Sequence, residues 1–147
     1  MAGYSGTPLP RKLGIKPGHQ VLALAAPAGL DLGEPAATVH REQGPPAATV
    51  HRDQGPPTGA PSAYDVVLLF CPDAATLHRA FPPAKAALAR DGGLWICRIK
   101  PASGLPTDLS DRLVRDFGLA AGLVDNKVAA IDETWSGLRF VYRVADR

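Results

Sequence analysis

At 147 residues the chain is the size of one ordinary domain, long enough to bury a core without disulfides or a metal. Apolar residues make up 46% and charged residues 20%, the balance of a globular protein, and the net charge of +2 is too small for a nucleic-acid surface. No apolar stretch approaches the ~20 residues of a membrane helix, and the N-terminus lacks the charged-then-apolar order of a signal peptide, so a cytoplasmic protein is expected.

The opening MAGYSGTPLPRKLGIKPG is polar and slightly basic and reads as an arm. Lys16-Pro17-Gly18 marks a turn into QVLALAA, Gln20 to Ala26. That continuous apolar run suits a strand covered on both faces, as in a parallel sheet. Residues 35–56 then say one phrase twice, PAATVHREQGP and PAATVHRDQGP. One copy of ATVHR fills the strand expected between the first strand and the next apolar run. The second has no vacant slot and reads as an insert, a loop or a marginal extra strand within 34–62. Long surface loops are tolerated because closure entropy rises only as the logarithm of length. A metal site from His40 and His51 would need further ligands. Only His19 and His78 remain, and neither is placed nearby, so no metal is expected.

YDVVLLFC, Tyr64 to Cys71, is a second buried strand, and GLWICRI, Gly93 to Ile99, a third. Cys71 and Cys97 read as small buried side chains in neighbouring strands. Asp73 is an N-cap for a helix bearing Leu77, Phe81, Ala84 and Leu88, which Pro82-Pro83 should kink or split and Gly92 should stop. Strand, helix and strand in that order make a parallel crossover unit. KPASGLPTDLS is a loop in which Thr107 or Asp108 caps a helix carrying Leu109, Leu113, Val114 and Phe117. Gly118 or Gly122 ends it. Val124 to Thr134 and Leu138 to Val144 look extended and join near Trp135-Ser136-Gly137, an antiparallel hairpin. The fold class is therefore α/β: a single Rossmann-like, three-layer domain over 1–147, mostly parallel, with a C-terminal antiparallel hairpin.

This order of elements resembles a shortened class I methyltransferase domain. The segment AYDVVLLFCPDAATLHRAFPPAKAALARDGGLWIC is similar to that family's central unit, and the terminal hairpin to its final pair. The resemblance implies S-adenosylmethionine as cofactor. The first strand, however, ends LAAPAGLDLGEP, with Gly29 and Gly33 but no GxGxxG, and no acidic residue is identifiable after the second strand. The opening GYSGTPLPRKLGIKPG, the loop APAGLDLG, the run YDVVLLFCPD and GLVDNKVAAIDETWSGLRFV resemble an uncharacterised bacterial domain family, which implies a fold and carries over nothing about catalysis.

In open α/β sheets ligands sit beyond the carboxyl ends of the strands. The candidate ligand residues there are Pro27, Gly29, Gly33, Asp73, Lys100, Ser103, Gly104 and Thr107. Lys100, Ser103, Gly104 and Thr107 would form an anion cradle, or simply a well-made loop. Trp135 and Arg139 are candidate partner or lid contacts. Asp132 and Glu133 are adjacent and point to opposite faces of a strand, so they are no acid–base pair. No catalytic residues are identifiable. The expectation is a non-catalytic domain for a protein partner or small anionic ligand, with no cofactor; the alternative is a reduced S-adenosylmethionine-dependent methyltransferase.

Overall fold

The computed structural model describes residues 9–27, 30, 38–42 and 63–147, and of 38 and 40–42 the backbone alone. Gly29, Gly33, His51 and the second copy of the repeat lie outside these residues. Among them a short helix α1 (Leu9–Lys12) precedes the strands β1 (Gln20–Leu24), β2 (Thr38–Glu42) and β3 (Tyr64–Cys71). Helix α2 (Ala74–Ala87), strand β4 (Leu88–Ile99), helix α3 (Asp111–Ala120) and strands β5 (Leu123–Ala130) and β6 (Trp135–Tyr142) complete the order. The sheet runs β2-β1-β3-β4-β6-β5. Pairings β1–β2, β1–β3 and β3–β4 are parallel, and β6 is antiparallel to both β4 and β5. The fold is α/β and Rossmann-like, mostly but not wholly parallel, with the closing hairpin that the sequence predicts. No helix among the described residues is long and apolar enough to cross a membrane.

Period-two alternation sorts the apolar runs onto two faces. Val67, Leu69, Cys71, Leu94 and Ile96 meet Leu77, Phe81 and Ala84 of α2 and Val114 of α3. Val66, Leu68, Phe70, Trp95 and Cys97 face the other way, onto Leu13, Ile15 and Ile131. A helical layer covers the first face. Among the described residues the segment from Leu9 to Ile15 and the β5–β6 turn cover the second. The indole N–H of Trp95 donates to the Leu13 carbonyl at 3.1 Å and ties that segment down.

The two cysteines sit on adjacent strands but on opposite faces, so they cannot form a disulfide. Both are buried and free. Burial, with Asp73 adding, pushes the Cys71 thiol up to about 12, and burial likewise raises Cys97. Both remain protonated and inert at neutral pH. Iodoacetamide is expected to leave the native protein unmodified and to alkylate both thiols in denaturant, as counted by mass spectrometry.

Several local boundaries differ from the sequence reading. Helix α2 runs unbroken through Pro82 and Pro83. Each proline removes one N–H, but the carbonyls left without it belong to His78 and Arg79, exposed residues whose backbone water can satisfy. The packed stripe of Leu77, Ala80, Phe81 and Ala84 holds the rest straight onto the sheet. The helix ends at Ala87 rather than at Gly92, because Leu88 turns directly into extended backbone. Ser110, not Thr107 or Asp108, caps α3, accepting from the Leu113 N–H at 3.1 Å. Gly118 lies inside α3 with the Phe140 ring against it, and Gly122, at φ 93°, follows the helix end. The hairpin turns at Asp132, whose carboxylate accepts from the N–H groups of Thr134 and Trp135, both at 2.8 Å. Gly137 is instead within β6, where the Trp95 ring leaves no room for a larger side chain.

Candidate functional site

The strand order fixes where a ligand can enter. From β1 the chain goes outward to β2, then returns to β3 on the other side of β1. The connections therefore diverge between the carboxyl ends of β1 and β3 and leave a crevice there. On one wall, Ala25 follows β1 in the left-handed region at φ 59°, the only non-glycine so placed among the described residues. That strained turn leads through Ala26 to Pro27, whose carbonyl accepts from the Leu30 N–H at 3.3 Å. On the other wall β3 ends at Cys71, and Pro72 and Asp73 lead into α2. Beside them Glu42 closes β2, in register with Leu24.

The electrostatics of this rim are acidic. Asp73 caps α2, its carboxylate accepting from the Thr76 N–H at 2.8 Å. Asp108 reaches across from the loop before α3 and accepts from the Ala74 N–H, also at 2.8 Å. Two carboxylates thus occupy the first turn of α2, where an anion would otherwise bind. Hydrogen bonds from Thr76 hold the Asp73 carboxyl below the usual range, with Arg79 helping, so it is ionised at neutral pH.

The cradle read from Lys100, Ser103, Gly104 and Thr107 is a closed turn. The Ser103 hydroxyl donates to the Lys100 carbonyl at 2.8 Å and accepts from the Leu105 N–H at 3.1 Å. The Gly104 N–H bonds the Pro101 carbonyl, and the Thr107 hydroxyl accepts from the Leu109 N–H. The Lys100 N–H bonds the Thr134 carbonyl at 2.8 Å, fastening the turn to the hairpin. Trp135 stands edge-on to Phe70, with centroids 5.1 Å apart, and packs over the second face of the sheet. Arg139 is half-buried at the far, amino end of the parallel strands, well away from the rim. Sequence reasoning missed Asp108 as a rim carboxylate, having read it as a cap for its own helix. It also missed Glu42 as the end of β2, because two copies of the phrase competed for that strand.

No protein-family profile matches the sequence, and no curated protein is similar to it. Solved structures are similar. A TehB-like SAM-dependent methyltransferase from Corynebacterium glutamicum superposes with a TM-score of 0.56 at 11% identity, over 97% of this chain and 91% of that one. The ribosomal protein L11 methylase of Lactobacillus delbrueckii subsp. bulgaricus superposes with a TM-score of 0.53 at 10% identity, over 92% of this chain and 75% of that one. The chain has a methyltransferase-like Rossmann fold. Two expectations are corrected by this likeness: the non-catalytic binding domain and the absence of a cofactor. The neighbours instead favour the methyltransferase alternative and S-adenosylmethionine. The acidic rim adds a physical reason, since a site bearing Asp73 and Asp108 repels the small anion first expected there.

Proposed function

We propose that the chain is a methyltransferase-like enzyme that binds S-adenosylmethionine between the carboxyl ends of β1 and β3. The observation that carries this reading is the switch in strand order of a methyltransferase-like sheet, with the carboxylates of Asp73 and Asp108 at the start of α2, just after β3. The cofactor fits the chemistry of the residues present. It carries a sulfonium and an ammonium, and the rim offers ionised carboxylates. Glu42 ends β2, the chain position at which nucleotide-binding sheets carry an acidic residue for ribose hydroxyls. The tight turn at Ala25 to Pro27 brings backbone rather than long side chains to the ligand. When bound, the cofactor supplies an electrophilic methyl group. The protein's own groups hold and orient it, and the protonated, buried Cys71 beneath the rim takes no part as a nucleophile. A cytoplasmic location belongs to the same reading, as do the likeness of the flanking stretches to small bacterial domains and the two reduced thiols.

Calorimetric titration tests this. S-adenosylmethionine and S-adenosylhomocysteine are expected to bind with Kd on the order of micromolar. Glu42→Gln should weaken both. Asp73→Asn keeps a helix cap while removing the charge. It should therefore weaken the sulfonium ligand by about two- to fivefold, as an exposed charge pair does, and spare the thioether. No heat with either ligand defeats the reading.

A further inference from the structure

A second cavity, of about 330 Å³, lies at the opposite end of the sheet, where the parallel strands begin. His19 stands just before β1, Asp65 and Val66 open β3, and Asp91 precedes the Gly93 that pairs with Val66. The segment from Lys12 to Lys16 forms one wall, and Lys127 and Arg139 form another. The rim proposed for S-adenosylmethionine shares no residue with it.

The charges lining this cavity are poorly matched among themselves. Lys127 of β5 and Arg139 of β6 are directly opposite in register, and like charges so placed destabilise a sheet. Arg139 is half-buried, yet it forms no ion pair with a described residue and donates to the side-chain oxygen of Asn126 at 3.4 Å. Burial, with Arg147 nearby, disfavours its charged form. Two carboxylates share the lining and offset part of this charge. Asp65 is engaged by the Gln20 N–H at 2.8 Å, and Asp91 makes no ion pair with a described residue. Lys16 is exposed and likewise forms no ion pair among them. Its backbone N–H donates to Nδ1 of His19, which leaves the ring proton on Nε2 as a further donor. Lys12 adds a fourth cation, donating to the Ala130 carbonyl at 3.5 Å.

We propose that this cavity binds the phosphate group of a small phosphorylated metabolite, held by Arg139, Lys127 and Lys16. A phosphate dianion relieves the Lys127–Arg139 repulsion and fills the planar donor fork that the half-buried guanidinium presents. A single carboxylate would do less, because Lys12, Lys16, Lys127 and Arg139 stand against only Asp65 and Asp91 in the lining. The volume is at the small end of ligand pockets, which run from about 300 to 1,000 Å³, so it takes a small molecule rather than a chain segment. Asp91 disfavours a second anionic group and is available to accept from a hydroxyl, which points to a sugar or polyol phosphate.

The test is a titration of the full chain followed by amide NMR at low ionic strength, with inorganic phosphate and glucose 6-phosphate as probes and potassium chloride matched for ionic strength. Shifts are expected at Gly14, Lys16, Val66 and Lys127, with glucose 6-phosphate binding more tightly than phosphate. Arg139→Gln should weaken both by about tenfold or more. Lys127→Gln and Lys16→Gln, at exposed positions that leave the core intact, should each weaken them a few-fold. Arg112→Gln, on the exposed face of α3, should change nothing. The proposal is overturned if phosphate causes no shifts beyond those of chloride, or if Arg112→Gln weakens the response as much as the cavity variants do. These outcomes are independent of whether S-adenosylmethionine binds at the other end.

Discussion

Trp95→Ala is expected to destabilise the protein by about 3–5 kcal/mol, measured by urea denaturation, the range for deleting a buried large aromatic side chain. Trp95 is the largest fully buried side chain among the described residues, at the centre of the second face. Neighbouring positions are shaped around it. A Cβ at Gly137 would come within 2.9 Å of its ring. Beyond packing, its indole N–H bridges 82 residues to the Leu13 carbonyl and holds the N-terminal segment on the sheet.

Trp95→Phe separates the two contributions. Phenylalanine retains most of the apolar area but leaves the Leu13 carbonyl unpaired in a buried setting, which costs about 1–3 kcal/mol. The alanine variant should therefore fall well below the phenylalanine variant. In both, amide exchange should quicken at Leu13 and Ile15, whose N–H groups bond the carbonyls of Leu9 and Pro10. Because Leu13, Gly14 and Lys16 also wall the phosphate cavity, the phenylalanine variant should bind phosphate more weakly even though no cation is lost. A Trp95→Phe protein as stable as the wild type, or one with unchanged exchange at Ile15, would show that the indole N–H does not anchor the segment.

What was readable in the residues follows a physical line. YDVVLLFC is a strand over the very residues expected, because a run buried on both faces needs no partner to be recognised. The helices were visible in their apolar stripes, but their ends were not. Ser110, Thr107 and Asp108 are all competent caps, and only the position of the sheet decides that Asp108 serves α2 while Ser110 serves α3. Leu88 reads as the last residue of the helical stripe, with Gly92 as the stop, yet Leu88 pairs with Tyr64 before the ladder bulges. At the rim, Pro27 and Asp73 could be named from strand ends alone. The role of Asp108 could not, since it rests on a contact across 34 residues. The second cavity was hidden for the same reason: Lys16, Asp65, Asp91 and Arg139 are distant in the chain, and register alone puts Arg139 beside Lys127.

That bulge is the basis of the other large effect. Gly92→Ala is expected to cost at least the upper part of the ~1–3 kcal/mol range of overpacking. A Cβ at Gly92 would lie 2.6 Å from the Asp65 carbonyl oxygen and 3.0 Å from that of Tyr64. Both are backbone atoms of β3, so the clash cannot be relieved by a rotamer change. It has to separate β3 from β4, the parallel pair at the middle of the sheet. The backbone of Gly92 is not left-handed, so alanine is excluded there by space alone. Gly93→Ala is the informative contrast. The three atoms its Cβ would meet first all belong to the guanidinium of Arg139, the end of a flexible side chain that can swing aside. It should therefore unfold nearer the wild-type urea midpoint than Gly92→Ala does, yet lose much of the phosphate response, because the displaced group is the one that carries it. A Gly93→Ala protein as unstable as Gly92→Ala would mean that Arg139 is locked in place by the fold rather than poised for a ligand.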